Sequence, residues 1–361
     1  MMENSSVLSP NASDALFPTD SPPPSAIHQT FWVISLIIYC LAFVLGITGN
    51  GLVIWVAGFR MTRTVTTVFF LNLASADFTF TAFLPFVITA TALQHHWPFG
   101  WFLCKLISYL ATFNMFASVF LLTLISLDRC VSVLWPVWAR NHRTPRRAAL
   151  AAAGAWALAL AFSVPTFIFR TTDTEDGITL CYSKFGSGEE EEEEEQEEDS
   201  EALIESRHWS LILSRLILGF LVPFLIISVC YGLITLRLWS GMKTVKLSRP
   251  FRILTAVVAA FFLCWLPFHV VGIIDASAYS HPHFEEVLPY LSPLTSSLAF
   301  VNSCLNPLLY VFMGRDFREK LLRSLPAALE RALSEESAPT GTTGNSSALA
   351  PPATDAETQG I

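Results

Sequence analysis

The sequence predicts an all-α membrane protein, a seven-transmembrane helix bundle followed by a short amphipathic eighth helix. Three observations carry that prediction. Of 361 residues, 52% are hydrophobic and only 14% charged, whereas soluble domains carry about 25% charged residues. Seven apolar stretches recur, each exceeding the roughly 20 residues a helix needs to cross the hydrocarbon core. Threaded through a bilayer, these stretches leave 17 of the 22 Lys and Arg on one side, the asymmetry expected of a cytoplasmic face. A soluble enzyme, an aqueous repeat array and a disordered scaffold are excluded, because 29 Phe and 10 Trp need an apolar solvent. A transmembrane barrel is excluded as well, since the stretches do not alternate as barrel strands do.

The elements follow in order. An outer polar tail occupies residues 1–30, and the bundle residues 31–313. The spans run Phe31–Phe59, Val65–Leu93, Trp101–Trp135, Ala148–Phe169, Trp209–Trp239, Phe251–Ala278 and Val287–Met313. The first is too long for a signal-peptide core and has no basic segment before it. With the N-terminus outside, the inner side receives basic clusters at 60–63, 129–147, 237–252 and 315–331. The outer side holds the acid: 15 of 30 Asp and Glu lie between Asp173 and Glu205. The net charge of −8 is therefore an outer-face property and implies no nucleic-acid partner. Asn4 and Asn11 open Asn-x-Ser triplets in the tail and read as glycosylation acceptors on a lumenal segment. Residues 314–332 form the eighth helix, because Asp316-Phe317-Arg318-Glu319-Lys320-Leu321-Leu322 alternates charged and apolar residues at helical spacing. Residues 333–361, rich in Ser, Thr, Pro and Gly, read as a disordered cytoplasmic tail.

Five of the seven Cys fall within or at the inner ends of spans and read as small buried side chains. Cys104 opens the third span and Cys181 lies in the loop after the fourth; both face the oxidising side, which predicts a disulfide between them. The same loop carries Glu189–Glu195, then Glu197, Glu198, Asp199 and Glu201. Like charges at that density repel, so the run is expected to be extended and disordered. It reads either as an electrostatic antenna for cationic ligands or as a low-complexity expansion without a role.

Ionisable groups inside lipid are expensive and mark function. Asp77 lies in mid-span, in the company of Asn50, Asn114, Ser118, Asn302 and Asn306. A carboxylate among neutral oxygens suits a small hard cation such as sodium; the alternative is a protonated, hydrogen-bonded Asp. Asp128-Arg129-Cys130 ends the third span, where the Asp can hold the guanidinium until Tyr231 or Tyr310 competes for it. Pro85, Pro165, Pro223, Pro267 and Pro307 each weaken a span locally. In Cys264-Trp265-Leu266-Pro267 and Asn306-Pro307-Leu308-Leu309-Tyr310 the break stands next to groups that could drive it.

Together these residues resemble the rhodopsin-like (class A) G protein-coupled receptors over about Gly46 to Arg331. The likeness rests on Gly49-Asn50, Leu73-Ala74-x-x-Asp77, Asp128-Arg129-Cys130, Trp156, Pro223, Cys-Trp-x-Pro ending at Pro267, and Asn306-Pro307-x-x-Tyr310. Gly49 to Met61, Trp97 to Lys105, Pro136-Val137-Trp138 with Asn141 to Thr144, Asn302 to Pro307 and Leu329 to Glu335 resemble the formyl peptide receptors. Asn114 to Phe120 and Phe169-Arg170 lean towards the chemerin and prostaglandin D2 receptors. Thr112 stands where formyl peptide receptors carry an Asp. Leu211 replaces the outer of two Arg on the fifth helix, leaving Arg215 alone.

The resemblance implies a plasma-membrane chemoattractant receptor, not an enzyme, that activates a Gi-type G protein. Its rival is a ligand-scavenging receptor of the same fold that does not signal. The ligand would be an extracellular peptide or acidic lipid, held by Arg215, Arg170, Thr112, Met115, Phe268 and His269 above Trp265, with Asp275 at the rim. The switch would be Asp128, Arg129, Tyr231, Asn306, Pro307 and Tyr310. Leu247 stands where some family members place an acidic partner for the Arg, so basal activity is expected. No cofactor is required beyond an allosteric sodium ion. Ser334, Ser337, Thr340, Thr342 and Thr343 suit receptor kinases and then arrestin.

Overall fold

The protein is described here from a computed structural model covering residues 26–186, 197–241, 249–278, 287–313 and 319–323. It divides into two compact units, residues 1–320 with the helical bundle and residues 321–361, of which 321–323 are described. Asn4, Asn11, the acidic run up to residue 196, Leu247 and the Ser334–Thr343 segment lie outside the described residues. Of the eighth helix, residues 319–323 are helical and the remainder lies outside them.

The helices are α1 (Ala26–Trp55), α2 (Val65–Ala82), α3 (Leu84–Ala92), α4 (Gly100–Leu134), α5 (Pro136–His142) and α6 (Pro145–Phe169). They continue with α7 (Glu197–Leu216), α8 (Val222–Gly241), α9 (Arg249–Ala278) and α10 (Leu288–Met313), while strands β1 (Arg170–Glu175) and β2 (Ile178–Ser183) lie after α6. Among the described residues six spans are long and apolar enough to cross a membrane: Gln29–Arg60, Val65–Ala92, Gly100–Leu134, Pro145–Phe169, Ala202–Arg237 and Thr255–Ala278. The seventh, α10, is 26 residues long, about 39 Å at 1.5 Å per residue, and packs against α1 and α9. Its Ser, Asn and two interior prolines, Pro293 and Pro307, make it less apolar than its neighbours.

Three of the described spans are not continuous α-helices; the first ends in a π turn at Val56–Arg60. The second breaks at Phe83, because Pro85 at the start of α3 has no N–H to extend the ladder of α2. Within the fifth, the Ile217–Leu221 turn widens to π geometry immediately before Pro223. Gly219 lies in that turn, and a Cβ there would stand 2.9 Å from Met115 Cε and 3.3 Å from the Phe116 ring, so a larger residue would have to displace the flexible end of Met115. α4 is the central rod, with Met115, Phe116, Val119, Leu121 and Leu122 fully buried against α2, α6 and α8.

The acidic loop departs from its expected form at its end. Glu197, Glu198, Asp199 and Glu201 belong to α7; acidic residues in the first turns of a helix are stabilised by its macrodipole, which offsets their repulsion. Before them β1 and β2 form an antiparallel hairpin that pairs Glu175 with Ile178. Asp176 (φ 50°) and Gly177 (φ 79°) are both left-handed, as a two-residue type I′ turn requires. Cys181 on β2 is bonded to Cys104 on α4, with Cα atoms 5.7 Å apart. Removing a native disulfide typically costs about 2–5 kcal/mol. Cys181→Ser is therefore expected to lower the thermal midpoint of the purified protein, and unchanged midpoints would show that the hairpin holds without it.

Candidate functional site

The hairpin roofs a cavity of about 470 Å³ in the outer half of the bundle. Arg170, Arg215, Thr112, Met115, Trp265 and Phe268 line it, as expected, together with Thr166. Arg215 is placed by α7 two residues before the span widens. Its Nη2 donates to Thr166 Oγ1 at 2.7 Å, and Thr166 Oγ1 lies 3.1 Å from Thr112 Oγ1. Thr112 in turn donates to the Ser108 carbonyl at 3.2 Å. Where the acidic residue of the resembling receptors is expected, this chain has a relay of hydroxyls. Arg215 Nε is buried without a hydrogen-bond partner, and among the described residues no carboxylate pairs with it. Arg170 Nη1 donates to the Cys181 carbonyl at 3.3 Å. Burial lowers the Arg170 pKa from its ordinary value, and Asp275 offsets part of that effect. The wall shared by α6 and α7 is thus cationic.

Two expected pocket residues lie elsewhere. His269 does not line the cavity; it is buried, with its ring 5.1 Å from Phe220, because its position on α9 turns it towards the fifth span. Asp275 does not line it either: its carboxylate is half-exposed and lies 3.3 Å from His208 Nε2. Sequence spacing gave the helix of each residue but not its rotation. Thr166 was missed, although a polar residue directly after Pro165 in an apolar span was a usable signal.

Below Trp265, Asp77 is fully buried. Asn306 Nδ2 donates to its Oδ2 at 2.8 Å, and Ser118 Oγ approaches Oδ1 at 3.5 Å. With its nitrogen facing Asp77, Asn114 donates to Oδ1 at 3.3 Å and to the Ala76 carbonyl at 3.2 Å, and accepts from Ser303 Oγ at 3.0 Å. Ser303 was not foreseen. Asn302 is buried on the same helix but makes no bond to Asp77 among the described residues. Asn50 ties α1 to α10 by donating to the Ser303 carbonyl at 2.8 Å. The Oδ1 atoms of Asn50, Asn302 and Asn306 are buried without donors. Surplus acceptors around a carboxylate fit a bound cation.

At the inner end the pairing differs from expectation. Asp128 does not hold Arg129. It accepts two bonds from Arg143, Nε to Oδ1 at 2.7 Å and Nη2 to Oδ2 at 2.9 Å. Arg129 Nη2 instead donates to Thr66 Oγ1 at 2.6 Å, and Arg143 Nη2 reaches the same hydroxyl at 3.3 Å. The planar fork of Arg143 matches a carboxylate in a way that the neighbouring Arg129, leaving the same helix at the next residue, does not. Arg143 had been counted only as an inner-face charge. Tyr231 and Pro307 lie on the inner halves of α8 and α10, and the Tyr310 side chain is outside the described residues. Trp156 Nε1 donates to Asn72 Oδ1 at 3.0 Å, linking α6 to α2.

Known proteins share this arrangement of sequence. The family model of the seven-transmembrane receptors of the rhodopsin family matches residues 49–310. The human N-formyl peptide receptor 2 is 49% identical over 340 residues, covering 92% of this chain and 94% of that receptor. Mouse formyl peptide receptor 2 is 47% identical over 339 residues, with 91% and 93% covered. Human N-formyl peptide receptor 3 is 46% identical over 341 residues, with 92% and 94% covered.

The Thr166 hydroxyl is the acceptor that offsets burial of the Arg215 guanidinium. Losing a hydrogen bond to a buried charged group costs about 1.5–3 kcal/mol. Thr166→Val should therefore lower the ligand-free thermal midpoint, and an unchanged midpoint would mean that Arg215 finds another acceptor.

Proposed function

The chain belongs to the rhodopsin family of seven-transmembrane receptors, in the formyl peptide receptor group, and from that premise we propose that its outer cavity binds an anionic chemoattractant and activates a Gi-type G protein. It is a multi-pass plasma-membrane receptor with a ligand and a G protein as partners, and it is not an enzyme. The scavenger reading finds no support among its relatives.

The carrying observation is Arg215, a buried guanidinium with an unpartnered Nε and no carboxylate beside it among the described residues. An unpaired buried charge is costly, and a ligand carboxylate pairs with it bidentately. Arg170 on the same cavity wall adds a second positive charge. The ligand is an acidic lipid or a peptide presenting a free C-terminus. Thr112 and Leu211 leave incomplete the charge set that the resembling receptors direct at a formylated end, which favours an anionic group over a neutral formyl group.

In this reading the N-terminus is extracellular, Asn4 and Asn11 carry glycans, and Ser334, Ser337, Thr340, Thr342 and Thr343 are substrates of receptor kinases that recruit arrestin. Asp77, with Asn114, Ser118, Asn302 and Asn306, holds an allosteric sodium ion that favours the inactive state. Ligand binding above Trp265 and the outward swing of α9 at its inner end are coupled through the Pro267 break.

Arg215→Gln keeps the volume and removes the charge. It is expected to reduce agonist potency in a Gi nucleotide-exchange assay by about 10- to 100-fold, the worth of one charge-assisted hydrogen-bond pair. Unchanged potency at normal surface expression would overturn the pocket. Replacing sodium by choline at constant ionic strength should raise agonist affinity in the native receptor and leave Asp77→Asn unaffected. Equal responses in the two proteins would remove the ion from the account.

A further inference from the structure

The inner end of α4 holds a guanidinium pair in which the carboxylate belongs to the residue that the receptor switch does not include. Arg143 makes both bonds to Asp128, at 2.7 and 2.9 Å, while Arg129 rests on the neutral hydroxyl of Thr66. Each partner is fixed locally by sequence. Thr64 caps α2: its hydroxyl accepts from the Thr67 N–H at 3.1 Å, and the Thr67 hydroxyl accepts from the Thr64 N–H at 2.7 Å. This reciprocal box sets where α2 begins and so where Thr66 stands. Arg143 is set between two prolines. Pro136 starts α5, Trp138 stacks on His142 at 4.6 Å, and the Arg143 N–H closes the helix on the Ala139 carbonyl at 2.9 Å. Pro145 then starts α6 and keeps Thr144 extended, at ψ 150°. The chain between the two helices has little freedom to carry Arg143 away.

We infer that Arg143 is a positioning residue for the switch: by occupying both oxygens of Asp128 it withholds that carboxylate from Arg129 and so sets the resting level of G-protein activation. A carboxylate whose charge is offset by a bidentate guanidinium keeps free lone pairs but attracts a second cation less strongly. Arg129 is left with one bond to a neutral hydroxyl, which is weaker than a charge-assisted pair. Arg143 reaches that same hydroxyl at 3.3 Å and competes for it. Both contacts act in one direction, loosening Arg129 from its resting place. Removing the Arg143 charge returns Asp128 to Arg129 and tightens the resting state. The pair is partly open to water, with side chains 30% and 13% exposed, so the effect is that of a screened ion pair rather than a dry one.

The test measures agonist-free nucleotide exchange on purified G protein by full-length receptor in lipid nanodiscs. Arg143→Gln is expected to lower basal exchange about fivefold, equivalent to roughly 1 kcal/mol, with agonist affinity falling by no more than the same factor, because the two equilibria are linked. Without the Asp128 carboxylate, Arg143 keeps only its weaker reach to Thr66, so Arg143→Gln should change basal exchange far less on an Asp128→Asn background than on the native one. Arg143→Lys, which keeps the charge and loses the fork, should fall between native and Gln, and it serves if the Gln variant expresses poorly. Basal exchange that rises or stays level in Arg143→Gln overturns the inference. So does a double variant in which the two effects simply add, since that identifies Arg143 as a direct G-protein contact.

Discussion

A carboxylate with no exposure to solvent organises the interior of this bundle. Burying a charge is tolerable only with hydrogen-bond partners, and Asp77 draws its partners from two helices: Asn306 from α10, and Ser118 and Asn114 from α4, with Ser303 of α10 bridging to Asn114. Asn50 extends the set to α1 through the Ser303 carbonyl. Three spans thus converge on one residue of a fourth, gathering at one place polar groups that a soluble core would spread widely. The convergence is possible because their backbones come close. A Cβ on Gly49 would lie 2.9 Å from Pro307, so a larger residue there would separate α1 from α10 and pull Asn50 off its acceptor.

α4 carries the same logic along its whole length. Its outer turns present Thr112 to the cavity, its middle presents Asn114 and Ser118 to Asp77, and its end presents Asp128 and Arg129 to the inner surface. Each level meets a charge whose natural counter-ion is not where simple pairing would put it. Above, Arg215 is supported by a hydroxyl instead of a carboxylate. In the middle, acceptors outnumber donors. Below, Asp128 is satisfied by a loop residue. Incomplete pairing inside lipid is expensive, and these three sites are among those where it persists and where a ligand, an ion and a protein partner enter the functional account.

Hydropathy made the bundle legible because apolar length and Lys/Arg asymmetry are whole-span properties, insensitive to rotation. The disulfide was legible for a similar reason: compartment and position alone singled out Cys104 and Cys181. Features that depend on the angle of a side chain around its helix were not. His269 and Phe268 are adjacent in sequence, yet only Phe268 reaches the cavity. The break at Phe83 was hidden inside a continuous apolar run, although Pro85 supplied its cause. The hairpin was signalled by Asp176-Gly177, a pair suited to two left-handed residues, but the adjoining acidic run drew attention to charge instead. Arg143 was invisible for a different reason. A basic residue in an inner loop fits the charge rule so well that the rule leaves nothing to explain, and only coordinates give it a partner.

The link between the fifth span and the floor of the outer cavity is aromatic rather than polar. Arg215 stands two residues before the Ile217–Leu221 turn that contains Phe220. The Phe220 ring lies 5.0 Å from Phe262 on α9, and Phe262 lies 5.3 Å from Phe261, which in turn lies 6.0 Å from Trp265 in the cavity floor. The edge-to-face pair Phe220–Phe262 interlocks the fifth span with α9, so neither moves without the other repacking. The widened turn at 217–221 has fewer ladder constraints than the helix around it, and Pro267 removes one from α9 at the matching height. A ligand shifts such an equilibrium only by binding one arrangement better than the other. An anion on Arg215 meets that condition, because the guanidinium it grips stands at the end of α7, immediately before the widened turn of the fifth span.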